Sequence, residues 1–142
     1  MTTTSGTQSR ARSSVADYAH REVKTIEEEA TIQEAGKRMA RFNIGSLLVT
    51  NNGAYVGMLT DTDLARVAAA RGLNPTTEPV RSIMSREIAA IEGHRSMEEA
   101  QTFMKSRGIR HLAVLAQGTI VGVVTLSDVL HFYQQTRPAT HA

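Results

Sequence analysis

Two seven-residue stretches carry the side chains best suited to chemistry. They are Gly57-Met58-Leu59-Thr60-Asp61-Thr62-Asp63 and Gly122-Val123-Val124-Thr125-Leu126-Ser127-Asp128. In each, an apolar strand ends in Gly-x-x-Thr and a helix starts within three residues, with an Asp in its first turn. Such a turn offers free amides and the positive end of a helix dipole, which suits an anion. The Thr hydroxyl can donate to a phosphate or sugar oxygen. The Asp carboxylate can accept from two vicinal hydroxyls, as an acid does with ribose in dinucleotide folds. The same residues have a purely local use. Thr-x-x-Asp is a variant of the capping box, and an acid in the first turn suits the dipole. The glycine can serve only to admit a close neighbour. Sequence alone leaves both uses open. There is no GxxxxGK[ST] loop, so nucleoside triphosphate hydrolysis of that kind is not expected.

The two stretches are matched parts of a longer repeat. Shifting the chain by 65 positions lays residues 15–66 on residues 80–131 without a gap, and sixteen of those 52 pairs are identical. Among them are Val15/Val80, Ile26/Ile91, Glu34/Glu99, Ala35/Ala100, Met39/Met104, Gly57/Gly122, Thr60/Thr125 and Asp63/Asp128. A repeat of this period implies two copies of one supersecondary unit. The expected organisation is a tail over 1–14, repeat one over 15–72, a linker over 73–79, repeat two over 80–134 and a flexible tail over 135–142. Each copy is too small to bury much surface alone. The copies are therefore expected to share one core about a pseudo-two-fold axis.

Inside each copy the pattern reads strand, helix, strand, strand, helix. Val23-Lys24-Thr25-Ile26 and Ile88-Ala89-Ala90-Ile91 open as short strands. Thr31-Ile32-Gln33-Glu34 and Ser96-Met97-Glu98-Glu99 are capping boxes that start a helix. Ile32, Ala35, Met39 and Phe42 then recur at helical spacing, as do Met97, Ala100 and Met104, which predicts one buried stripe. Two β-branched and aliphatic runs follow, joined by Asn51-Asn52-Gly53 or by Ala116-Gln117-Gly118, and predict hairpins. A second helix is expected from near Asp61 to a C-cap at Gly72, and again from near Ser127. The fold class is α/β (α+β), two βαββα repeats.

Composition excludes several functions. With no cysteine, disulfides, thiolate metal sites and cysteine nucleophiles are absent. None of the five histidines, His20, His94, His111, His131 and His141, stands in an HExxH-type pair, so no metal is expected. Asp61 and Asp63 look like a carboxylate pair, but Leu126 replaces the first acid in copy two. No catalytic residues are assigned and no enzyme is expected. Net charge is +2 with 41% hydrophobic residues, and Lys and Arg form no run. That argues against nucleic acid, which favours a basic stripe. No apolar run reaches the ~18 residues that span a bilayer. Residues 1–14 have no apolar h-region, so no secretory signal is read and a cytoplasmic location is expected.

The order and spacing of these pieces, twice over, resemble a tandem pair of cystathionine-β-synthase (CBS) domains, the unit called a Bateman module. The resemblance spans about residues 12–134. It rests on Val80-Arg81-Ser82-Ile83-Met84-Ser85, the two capping-box helices, Ile44-Gly45-Ser46-Leu47 and Ile109-Arg110-His111-Leu112, and the two Gly-x-x-Thr-x-x-Asp turns. Copy one opens instead on Val15-Ala16-Asp17-Tyr18-Ala19-His20, without the Ile-Met that copy two keeps.

The resemblance implies a regulatory sensor that needs no cofactor. It would bind an adenosine-containing ligand in the cleft between repeats: AMP, ADP or ATP, with NAD or S-adenosylmethionine as further choices. By position, Asp63 and Asp128 would hold the ribose, and Thr60 and Thr125 the ribose or phosphate. Ile26 and Ile91 would flank the adenine. Arg110 and His111, which stand where copy one has Gly45 and Ser46, would grip phosphate, a task to which Arg is suited. The resemblance also implies a homodimer and an effector protein in trans. Three alternatives are an interaction module in which Thr and Asp serve only as caps, a nucleic-acid binder using Arg10 and Arg12, and a hydrolase of the bound nucleotide.

Overall fold

The computed structural model describes residues 14–136. The expected tails fall outside these residues, except for Ser14 and the last two residues of the final helix. The described chain forms two compact units. The first is residues 23–88. The second joins residues 14–22 to residues 89–136.

The first unit is a three-stranded mixed sheet with its helices. Strand β1 (Thr25–Glu27) pairs in parallel with β2 (Ser46–Asn51), which pairs antiparallel with β3 (Ala54–Thr60). Helix α2 (Ile32–Phe42) makes the crossover that the parallel pair requires. It starts where the sequence predicts. The Thr31 hydroxyl accepts from the Glu34 amide at 3.1 Å, and the Glu34 carboxylate accepts from the Thr31 amide at 2.8 Å. It stops at Asn43, which takes the left-handed conformation at φ 54°. The hairpin turn carries Asn52 at φ 53° and Gly53 at φ 83°. Two successive positive φ values match the right-handed twist of the strands.

The last helix of this unit departs from a regular α-helix. Its core, α3 (Asp63–Ala68), is π-helical. It closes at Gly72, φ 64°, as the glycine signal predicts.

The second unit repeats the plan with a regular last helix. Strand β4 (Ala90–Glu92) is parallel to β5 (His111–Ala116), and β5 is antiparallel to β6 (Thr119–Thr125). Helix α4 (Met97–Arg107) starts at the Ser96/Glu99 box and stops at Gly108 in the left-handed region. Helix α5 (Leu126–Thr136) follows β6 directly. Met39 and Met104 are core residues, as the periodicity requires, but Phe42, expected on the same buried stripe, is 39% exposed at the end of α2.

Each sheet receives an arm from the opening of the other repeat. Helix α1 (Val15–Tyr18) opens copy one in sequence, yet Val15 is fully buried with Ile91, Met97 and Val129. Tyr18 meets the edge of Phe132 on α5 at 5.5 Å. Conversely, the 3-10 turn Val80–Ser82 and the following Ile83 and Met84 opening copy two are buried with Ile26, Leu47 and Leu59.

Each arm ends in a bridge on an outer strand. Met58 and Ser85 exchange backbone bonds, both 2.9 Å, and His20 and Val123 do the same at 2.8 and 3.0 Å. These bridges cover strand edges that would otherwise be open to pairing. They also explain the repeated glycine. A Cβ on Gly57 would lie 2.5 Å from the Ser85 carbonyl oxygen, and one on Gly122 would lie 2.9 Å from that of His20. Gly57→Ala should therefore cost about 1–3 kcal/mol, the range for overpacking. Gly122→Ala should cost less. Urea unfolding of the two variants measures the order.

Candidate functional site

Each Thr-x-x-Asp turn closes on itself. In the first unit, Asp63 Oδ2 accepts from the Thr60 amide at 2.9 Å and from the Thr60 hydroxyl at 3.2 Å, while the Asp63 amide donates to Thr60 Oγ1 at 3.3 Å. In the second, Asp128 Oδ2 accepts from the Thr125 amide at 2.8 Å and hydroxyl at 3.0 Å, and the Asp128 amide donates to Thr125 Oγ1 at 3.3 Å. The capping geometry is thus complete in both copies. It occupies one carboxylate oxygen and leaves Oδ1 for other partners.

The copies differ in what meets Oδ1. Asp128 Oδ1 lies 2.9 Å from His20 Nε2. The His20 side chain is 66% exposed and Asp128 only 16%, so the imidazole lies over the carboxylate from the solvent side. Asp63 has only its Thr60 bonds among the described residues. At the matched position of the first unit stands Ser85, whose hydroxyl turns to the Glu87 carbonyl at 3.0 Å. His20 was not among the predicted site residues. The gapless alignment carries its signal, because it sets His20 opposite Ser85.

Strand pairing gathers the remaining polar candidates in the second unit. His111 is the cross-strand partner of Thr125, and the Arg110 carbonyl accepts from the Leu126 amide at 2.9 Å. Arg110, His111, Thr125 and Asp128 therefore belong to one corner. In the first unit Ser46 pairs with Thr60, and the Gly45 carbonyl accepts from the Asp61 amide. Ile26 and Ile91 are 2% and 9% exposed and form part of the two cores, and Ile26 also lines a cavity beside β1. Among the described residues, no group of three or more His, Asp or Glu side chains is placed to hold a metal. No described helix is long and apolar enough to cross a membrane.

Burial raises the Asp63 carboxyl above its ordinary 3.8, against the pull of the two Thr60 bonds, and the Asp61 carboxylate adds to the rise. The folded state then binds a proton that the unfolded chain has already lost. Stability contributed at Asp63 therefore falls as pH rises from 3.8 through the raised value. Asp63→Asn keeps an acceptor for Thr60 and removes the buried charge. Its stability relative to wild type should improve over that window and hold at neutral pH, as urea titrations at several pH values will show.

The CBS domain model matches residues 15–70 and 80–135, and the chain belongs to that family as a tandem pair. The CBS domain-containing protein YhcV of Bacillus subtilis is 38% identical over 117 residues, covering 82% of this chain and 83% of that protein. The crystal structure of an uncharacterized conserved protein from Pyrococcus horikoshii superposes with a TM-score of 0.79 at 29% identity, covering 93% and 98%. The CBS domain pair of protein MJ0100, solved with 5-methylthioadenosine and S-adenosyl-L-methionine, shares the fold at a TM-score of 0.78 and 23% identity, covering 87% and 98%. A tandem CBS pair is a regulatory type of module.

Proposed function

We propose that this chain senses an adenosine-containing ligand through its two Thr-x-x-Asp turns and passes occupancy to a protein in trans. The observation that carries this reading is the duplicated carboxylate. Each is oriented by two bonds from its own Thr, and in Asp63 Oδ1 stays available to a sugar hydroxyl. Orientation by local bonds lowers the cost of binding, because the group need not be ordered when the ligand arrives. The adenosine-type ligands held by the MJ0100 pair support the class. AMP, ADP and ATP remain the first candidates, with Arg110 and His111 taking phosphate.

The two turns are unequal in this reading. A ligand at Asp128 must displace His20 from Oδ1, whereas a ligand at Asp63 displaces no side chain that the structure places there. The first unit therefore fills first. Signalling requires that the ligand favour one conformation over another. A homodimer gives such a change a symmetric interface to act on.

The test is a thermal-shift panel of AMP, ADP, ATP, NAD, S-adenosylmethionine and GTP on wild type, Asp63→Ala, Asp128→Ala and His20→Ala. At 100 times its dissociation constant a ligand stabilises by ~2.7 kcal/mol. Adenosine compounds should shift the wild type. Asp63→Ala should lose most of that shift, and His20→Ala should tighten binding at Asp128. A second reading follows from the completed capping geometry: an interaction module in which Thr and Asp act only as caps. A flat panel, with the Asp variants losing roughly 1 kcal/mol of stability, decides for that alternative.

A further inference from the structure

The first unit contains a cavity of about 640 Å³ between β1 and α2, well within the roughly 300–1,000 Å³ of small-molecule sites. Its lining includes Lys24, Lys37, Arg38, Arg41 and Phe42. Neither Thr60 nor Asp63 takes part. Two carboxylates also face it, but both have tasks. Glu34 caps the α2 amide at Thr31, and Glu27 accepts from the Thr50 hydroxyl at 3.0 Å. Among the described residues, Lys37 and Arg41 have no carboxylate partner.

The cations are held at the rim by other contacts. Lys24 lies 4.2 Å and Arg41 5.5 Å from the Phe42 ring centre, a cation–π arrangement. Arg38 donates to the Thr25 carbonyl at 2.6 Å through one nitrogen, which leaves most of its guanidinium fork unused.

The second repeat supplies an internal control. At the matched positions it has Ala89, Thr102, Phe103 and Ser106 in place of Lys24, Lys37, Arg38 and Arg41, while both glutamates remain as Glu92 and Glu99. The second unit thus forms the same sheet and helix without the four cations. The lining carries four cations against two carboxylates, and a bound anion offsets the excess positive charge.

We infer that this cavity binds a small polyphosphorylated molecule, with Lys37, Arg38 and Arg41 as its anion grips. A concave volume of this size suits a compact polyanion, and the guanidinium forks match phosphate oxygens two at a time. The site stands apart from the Thr-x-x-Asp turns of the adenosine reading, with which it shares only Ile26 of the residues named there.

The test uses the full chain and two probes that separate the readings. Tripolyphosphate carries the anion without a nucleoside, and adenosine carries the nucleoside without an anion. Titration calorimetry should detect tripolyphosphate binding that weakens with salt. Lys37→Gln and Arg41→Gln should each weaken it on the order of tenfold, the loss expected for one charge-assisted bond. Both positions are exposed on α2, so melting of the unliganded variants should match wild type. Asp63→Ala and the remote Lys105→Ala should leave tripolyphosphate binding unchanged. Adenosine binding abolished by Asp63→Ala would fail or succeed separately. The inference is overturned if tripolyphosphate does not bind, if Lys105→Ala weakens it as much as Lys37→Gln, or if only an acidic peptide binds and competes at these residues.

Discussion

The close passage of a backbone arm across the outer strand of each sheet is the constraint on which the rest depends. At Gly57 the arm is near enough that even a methyl group would collide with a carbonyl, and Gly122 repeats the arrangement. The two backbone bonds at each crossing seal a strand edge and set the arm's register. The apolar residues of the arm then complete the core below: Val80 and Ile83 in one unit, Val15 in the other. The crossing also delivers His20 to Asp128, because the residue that bridges Val123 is the one whose ring reaches the carboxylate. A packing requirement at a glycine thus decides the electrostatics of a turn several residues away.

In the proposed function, the Thr-x-x-Asp turns let one set of atoms serve both stability and recognition. Capping consumes the Thr hydroxyl, two amides and a single carboxylate oxygen. What remains is an oriented acceptor at a helix start, next to the strand end that carries Arg110 and His111 in the second unit. Capping alone accounts for the bonds seen. It does not account for the departures between the copies, since a cap works equally well with His20 or Ser85 nearby.

Those departures give the duplicated plan its direction. The first unit has a π-helical turn from Asp63, an uncovered carboxylate oxygen and a cationic cavity beside β1. The second has a regular α5, a histidine over its carboxylate and neutral residues where the cations would be. Two units with nearly the same strand pairing therefore present different chemistry. A π-turn widens the helix locally, and such turns are frequent at functional sites.

Much of this was legible in the sequence because it depends on near neighbours. The 65-residue repeat, both capping boxes, the hairpin turns at Gly53 and Gly118, the end at Gly72 and the buried stripes through Met39 and Met104 all follow from local sterics and periodicity. The Thr60–Asp63 and Thr125–Asp128 bonds belong to the same class, since three residues separate the partners. The exchange of arms was not legible. Val15 and Val80 are identical and open their copies alike, and nothing local states which sheet each will join. Ile26 and Ile91 illustrate a second limit: a short apolar run does not state how deeply its residues are buried, and only the paired strand, with Val49 opposite Ile26 and Val114 opposite Ile91, sets that. The contact between His20 and Asp128 spans 108 positions, and the cavity joins β1 to the far end of α2. The sequence determined the parts and their caps by short-range chemistry. Only the tertiary structure decided which distant charges would meet.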